Sequence, residues 1–179
     1  MKWTRVIGQT VVGIAGGLAA SFVMSKFQSG WKTLEREFDP DSAGEQAQEG
    51  EPATVKAANR VAQKSTGEPV PEAHKDTAGE AVHYGFGALL GGLYGAAGAV
   101  APRVRTGFGT VFGAGVWAIA DEIAVPAANL SKPPQEMPQS QHVYSIVSHL
   151  LFGAVLEGSR RAMEVSASAV GRKAERQFA

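Results

Sequence analysis

The sequence predicts an all-α protein: a bundle of four membrane-spanning helices with a partly helical polar segment between the first and second. Three observations predict it. Charged side chains make up 19% of the 179 residues, below the roughly 25% usual for soluble domains. Their scarcity is uneven, leaving four stretches almost free of charge. Those stretches also hold most of the 22 glycines, many of them four residues apart.

Val6–Met24 has no ionisable group, Ala81–Pro102 has only His83, and Thr106–Pro126 has only Asp121 and Glu122. Val143–Ser159 has only His149 and Glu157, and reaches full length when the flanks to Gln141 and Met163 join it. A helix rises about 1.5 Å per residue, so a hydrocarbon core of about 30 Å takes around 20 residues. The spans fall at about 5–25, 79–101, 106–126 and 141–163, with a basic tail over 164–179.

Buried helices of a soluble domain are the competing explanation. Two features oppose it. No polar face recurs at helical spacing along Val6–Met24 or Ala81–Pro102, as a surface helix would show. Glycine costs about 1 kcal/mol against alanine in a water-soluble helix, whereas in lipid small residues let helix backbones approach closely. Val6–Met24, preceded by Lys2 and Arg5, also has some features of a cleaved signal peptide. Its apolar run is longer than a usual signal core, which favours an uncleaved first span.

The polar segment, 26–78, carries most of the acidic residues. Trp31, Leu34 and Phe38 recur near helical spacing, which fits an amphipathic helix in the headgroup region or a helical cap on the bundle. Pro52–Lys64 reads as a further helix, with Pro52 at its first turn and Gly67 as its stop. Pro69 and Pro71 mark an extended connection, and Ser131–Pro138 a stiff turn.

Four spans put both termini on one side, with Lys2, Arg5, Arg103, Arg105, Arg160, Arg161, Arg172, Lys173 and Arg176. Basic residues in short flanks favour the cytoplasm, while long segments cross largely regardless of charge. The expectation is a multi-pass membrane protein with cytoplasmic N- and C-termini.

Gly13 and Gly17, then Gly87, Gly91 and Gly95, then Gly109 and Gly113 form GxxxG ridges, with Gly153 between His149 and Glu157 on the fourth span. Hydrocarbon supplies little hydrophobic force between helices, so close van der Waals contact must hold them. The ridges extend into His83, Asp121, His149 and Glu157, which predicts that these groups point inward. Counted from the span ends, His83, Asp121 and His149 lie roughly 8, 8 and 12 Å from one membrane face. Glu122 adjoins Asp121, and His142 stands at the mouth.

An ionisable group at mid-membrane costs about 2.5–3.5 kcal/mol on insertion scales. Three chemistries fit the set His83, Asp121, Glu122, His142, His149 and Glu157. They are a structural network, a proton-responsive site, and a divalent cation site without a compact ligand motif such as HExxH.

Enzyme chemistry is not expected. With no cysteine there is no disulfide, thiolate metal site or Fe–S cluster. No nucleophile elbow, ordered triad or phosphate loop is present, and no cofactor is implied. The balance of 17 basic and 17 acidic side chains excludes a nucleic-acid binder that works through a global positive field. The expected partners are the bilayer and a second copy or a larger membrane complex.

His83-Tyr-Gly-Phe-Gly, Gly92-Leu-Tyr-Gly, Gly109-Thr-Val-Phe-Gly, Asp121-Glu122 before Pro126, and Ser148-His-Leu-Leu-Phe-Gly together resemble the YagU-like family of small bacterial inner-membrane proteins. The resemblance spans about 78–158. It implies a multi-pass protein of unassigned activity with a link to acid survival, and it marks His83, Glu122, Pro126 and His149. Three function classes follow: a proton sensor or relay, a structural subunit or scaffold, and a small-solute carrier that works as an oligomer.

Overall fold

The computed structural model describes residues 2–38 and 50–177, with side chains over 3–38 and 50–169. All secondary structure among them is helical. Helix α1 is Lys2–Phe38, α2 is Ala53–Thr66, α3 is Lys75–Val100 and α5 is Gln139–Gln177. Helix α4 is composite: an α part Thr110–Val116, a π-helical part Trp117–Ala124 and a last α turn Val125–Ala127. The stretch 39–49 of the polar segment lies outside the described residues, as do the side chains of Arg172, Lys173 and Arg176.

The helix ends follow from local chemistry. Helix α2 starts directly after Pro52 and stops at Gly67, whose φ of 81° closes the last turn in the left-handed region. No proline interrupts residues 2–38, so α1 does not stop where its apolar run ends. The segment with Trp31, Leu34 and Phe38 is therefore an extension of α1, not a separate surface helix. Ser29 and Thr33 turn their hydroxyls back onto the Ser25 and Ser29 carbonyls. Trp31 packs at 5.8 Å from both the Phe27 and Tyr144 rings. Helix α5 likewise runs on beyond residue 163 to Gln177.

The third apolar stretch is not helical from its first residue. After Arg105 the backbone extends at Thr106, then passes through left-handed Gly107, Phe108 and Gly109 before α4 begins. Phe108, with φ 56°, is unusual for a side-chain-bearing residue. Its ring packs over Gly158 and under the Arg161 guanidinium, 4.7 Å from the ring centroid, which holds the turn in place.

Glycines set the packing. A Cβ on Gly13 would lie 2.1 Å from the Gly91 carbonyl oxygen, and one on Gly17 2.1 Å from that of Gly87. Gly95 seats against the Gln9 carbonyl in the same way. Across α4 and α5, a Cβ on Gly109 would fall 2.2 Å from the Gly153 oxygen, and one on Gly113 2.1 Å from that of His149. These pairings run α1 antiparallel to α3 and α4 antiparallel to α5. Gly16 against Leu156 and Ser159, together with Trp31 against Tyr144, makes α5 antiparallel to α1 as well. The long helices thus alternate in direction along the chain.

Among the described residues the apolar core is small: Ala20, Met24, Tyr94, Phe152 and Leu156, with Leu90, Val104, Phe112 and Val155 against it. Large apolar side chains point the other way. Ile7, Val11, Leu18 and Phe22 on α1, Leu89 and Leu93 on α3, and Val111, Ile119 and Ile123 on α4 are exposed. Two helices, Trp3–Phe38 and Pro102–Ala127, are long and apolar enough to cross a membrane.

The seams make opposite demands at different glycines. Gly17→Ala or Gly91→Ala pushes a methyl group into backbone and is expected to cost about 1–3 kcal/mol. Gly115, which a Cβ would leave in open space, tolerates alanine and gains up to about 1 kcal/mol from helix propensity. Unfolding in detergent micelles measures both; equal effects at Gly91 and Gly115 would contradict the packing.

Candidate functional site

Two polar groups sit at opposite ends of the bundle. The first lies where α4 meets the start of α5, at the end covered by α2. Pro126 has no N–H, and in an α-helix its ring would press on the carbonyl of Glu122, four residues before it. The π-helical stretch Trp117–Ala124 widens the backbone there and relieves that crowding. Asp121 and Glu122 both fall within it.

Glu122 Oε1 lies 2.8 Å from His142 Nδ1, and His142 Nε2 lies 3.0 Å from the Pro134 carbonyl oxygen. Both ring nitrogens therefore face oxygen acceptors. A neutral imidazole carries one N–H and leaves its other nitrogen as an acceptor. The arrangement is satisfied when the ring carries two N–H groups, or when Glu122 carries a proton and donates it. Either way the pair holds a proton beyond a neutral ring and a free carboxylate.

Asp121 makes a second set of contacts one turn along α5. Ser145 donates its hydroxyl to Asp121 Oδ2. His149 Nδ1 is 2.9 Å from the Ser145 carbonyl and 3.6 Å from Asp121 Oδ2. Of the six ionisable residues singled out from the sequence, Asp121, Glu122, His142 and His149 thus meet across the α4–α5 seam. His83 does not join them among the described residues. Its Nε2 is 3.3 Å from the Ser21 carbonyl, and its ring stands edge-on to Tyr84. It sits on the α1–α3 seam, because α3 lies along α1 here and meets α4 further on, through Tyr94 and Phe112. No three His, Asp or Glu side chains among the described residues converge as metal ligands.

Helix α2 secures this end. Lys56 Nζ donates to the Leu130 carbonyl at 3.1 Å, and Arg60 donates to those of Ala128 and Asn129. Two cations thus cap the carbonyl end of α4, where the helix dipole is negative. Lys75 joins the segment before α2 to α3 through Glu51, at 2.8 Å, and also pairs with Glu72 at 2.6 Å. The bond to Glu51 first, then that to Glu72, holds the Lys75 ammonium above its ordinary range, and Lys75 holds the Glu51 carboxyl below its own.

Glu157 belongs to the second group, at the end where α1 begins and α3 gives way to the 102–109 turn. It lies two turns past His149, about 12 Å along α5. It is fully buried, and it accepts from Tyr94 at 2.9 Å, from Arg160 at 2.7 and 2.8 Å, and from Arg161 at 2.7 Å. Arg160 also pairs with Glu164 at 2.6 Å. Gln9 bridges Glu164 and Arg105 at 2.8 Å each. The network links α1, α3, the 102–109 turn and α5. Arg160 and Arg161, three and four residues after Glu157, stand at helical ion-pair spacing and were open to inference from the sequence. Tyr94, Gln9 and Arg105 come from distant positions with no local signal.

Removing one partner of a buried pair leaves the other charge uncompensated. Glu157→Gln is therefore expected to lose about 3–5 kcal/mol of stability. The double variant Glu157→Leu with Arg160→Leu, which removes both charges, is expected to lose less. Unfolding in micelles with all three chains in parallel decides it, and a double variant weaker than Glu157→Gln would count against the network.

Comparison with known proteins places most of these residues in one family. No curated protein and no solved structure matches the chain. The family model "Protein of unknown function (DUF1440)" matches residues 60–158. The match takes in α3, α4, the first half of α5, the acid pair, and Glu157. Because it covers more than half of the 179 residues, the chain belongs to the DUF1440 family.

Proposed function

We propose that this protein is a non-enzymatic, multi-pass protein of the bacterial inner membrane whose α4–α5 site binds and releases a proton. The membrane part rests on one observation. The helices bury Gly13, Gly17, Gly87, Gly91, Gly95, Gly109, Gly113 and Gly153 and turn Leu, Ile, Val and Phe outward. A water-soluble fold does the reverse, since burying those aliphatic side chains is its main source of stability. Hydrocarbon imposes no such demand, and close contact at small residues is what holds helices together in it.

Four crossings are supported by the alternating directions of α1, α3, α4 and α5. Glycines, histidines and charges lower the mean hydropathy of α3 and α5, yet Gly87, Gly91, Gly95, His149, Gly153 and Glu157 among them face neighbouring helices. Both termini then lie on the cytoplasmic side with Arg103, Arg105 and Arg160, and α2 lies outside. The His142–Glu122 pair, with Asp121, Ser145 and His149 behind it, faces the outer compartment. A pair that must hold a proton to satisfy its hydrogen bonds changes those bonds when the proton count changes. The resemblance to the YagU-like family adds acid survival as the setting in which such a change would matter.

A second reading, an accessory or scaffold subunit, is favoured by Gly8, Gly85 and Gly115. A Cβ on any of them would meet nothing within 4 Å, so these faces are open to another helix. A stoichiometric companion that co-purifies from native membranes without crosslinker would support that reading.

The proton reading is tested by labelling histidine with nitrogen-15 and following the ring resonances in nanodiscs from pH 8 to pH 4. The expected result is a His142 titration that moves when Glu122→Gln removes the carboxylate, while His83 is unaffected by that substitution. A His142 signal indifferent to Glu122→Gln would overturn it.

A further inference from the structure

We propose that the π-helical stretch of α4 is a register switch, and that release of the acid pair from α5 lets it tighten into an α-helix. The inference rests on the proton reading above and names the movement that the proton would control. Eight consecutive π residues, Trp117–Ala124, exceed the single-turn bulge in which this geometry usually occurs, a form frequent at functional sites. The looser i→i+5 bonding stores one residue more than an α-helix of the same length.

The N-terminal part of α4 cannot take up that residue. Gly109 and Gly113 rest on the Gly153 and His149 carbonyls with no room for even a methyl group. The change must therefore emerge beyond Val116. Successive α-helical residues are turned by about 100°, so a one-residue tightening swings Asp121 and Glu122 away from α5. Three attachments oppose the swing in the present state. Ser145 and His149 hold Asp121, His142 holds Glu122, and Lys56 with Arg60 hold the carbonyls at the end of the helix.

The groups facing the acid pair from each packed element set the direction of the response. From α5 they are His142, His149 and the Tyr144 hydroxyl. From α1 Glu35 acts on Tyr144, as Asp121 does. From α2, Lys56 and Arg60 reach the carbonyls of Leu130, Ala128 and Asn129, beyond the acid pair. In the present state the His142–Glu122 pair already holds one proton. Further protons, taken up by the two carboxylates in acid, remove the negative charge opposite His142 and His149, and the swing then moves two neutral groups instead of two anions. Acid therefore favours the tightened α form, and neutral pH favours the π form. Pro126 opposes the tightening, because its ring meets the Glu122 carbonyl again. The switch thus has a barrier on one side and ion pairs on the other.

The absence of cysteine permits clean spin-label pairs in nanodiscs. Ile123→Cys lies past the π stretch, Val111→Cys before it, and Leu89→Cys on α3 serves as the common reference; all three positions are exposed. The expected result is a 123–89 distance that shifts by several ångströms between pH 8 and pH 4 while the 111–89 distance stays fixed. Deleting Ala118 removes the stored residue and should fix the 123–89 distance at its acid value at every pH. Should the deletion not fold, Pro126→Ala, which removes the barrier, should move the midpoint of the shift to higher pH. If both distances stay fixed while His142 titrates, the switch is wrong and the proton site stands. If neither the distances nor His142 respond, both proposals fall.

Discussion

The close contact of backbone with backbone at the glycine seams is the constraint from which the other features follow. Where Gly13 meets Gly91, or Gly113 meets the His149 carbonyl, a single methyl group has no space. Helix axes that approach so closely leave no layer between them for large side chains. Leucine, isoleucine and phenylalanine are therefore displaced to the outside of the bundle, and polar side chains supply much of what is buried. Ser21, Ser148 and Glu157 are as enclosed as Tyr94 and Leu156.

The two polar groups divide the labour. Around Glu157, Arg160, Arg161 and Tyr94 converge on one carboxylate, Glu164 pairs with Arg160, and the Gln9 amide carries the network on to Arg105. Such an arrangement fixes register and gives little reason to change protonation. The α4–α5 site is different in kind. Its histidine lies between two acceptors, its carboxylates stand on a widened helix, and its far end is held by cations from α2. One end of the bundle is held by ion pairs around a buried carboxylate, while the other is held by bonds that change with the number of protons its histidine–carboxylate pair carries.

Much of the architecture could be read from residue spacing. The glycine steps of four marked the faces that do meet, and Pro52 and Gly67 marked the ends of α2. Asp121 and Glu122 could be paired with His142 and His149 because antiparallel neighbours at similar depth must face one another. Other features could not be reached this way. A helix passes from lipid-like to water-like composition without ending unless a breaker intervenes, so α1 outran its apolar stretch through Ser25–Phe38. Depth alone does not fix azimuth, which is why His83, at a suitable level, turned to Ser21 on the other seam. Counting in steps of four also carried Glu157 into the histidine group, although two helical turns separate it from His149. The π stretch arises from a conflict between Pro126 and a carbonyl four residues back, and the left-handed path through Phe108 depends on a stacking partner 53 positions further along; periodicity reports neither.

The proposal that hydrocarbon surrounds the outward-facing aliphatic residues can be measured directly. Single cysteines placed in turn at Leu18, Leu89 and Ile119, each carrying a small fluorophore, are compared with one at the outer end of α2, at Lys64, in bilayers of brominated lipid. The account predicts strong quenching by the bromine atoms at the first three positions and little at Lys64. Equal, weak quenching at all four, with the protein remaining folded and monodisperse after the lipid is withdrawn, would contradict it.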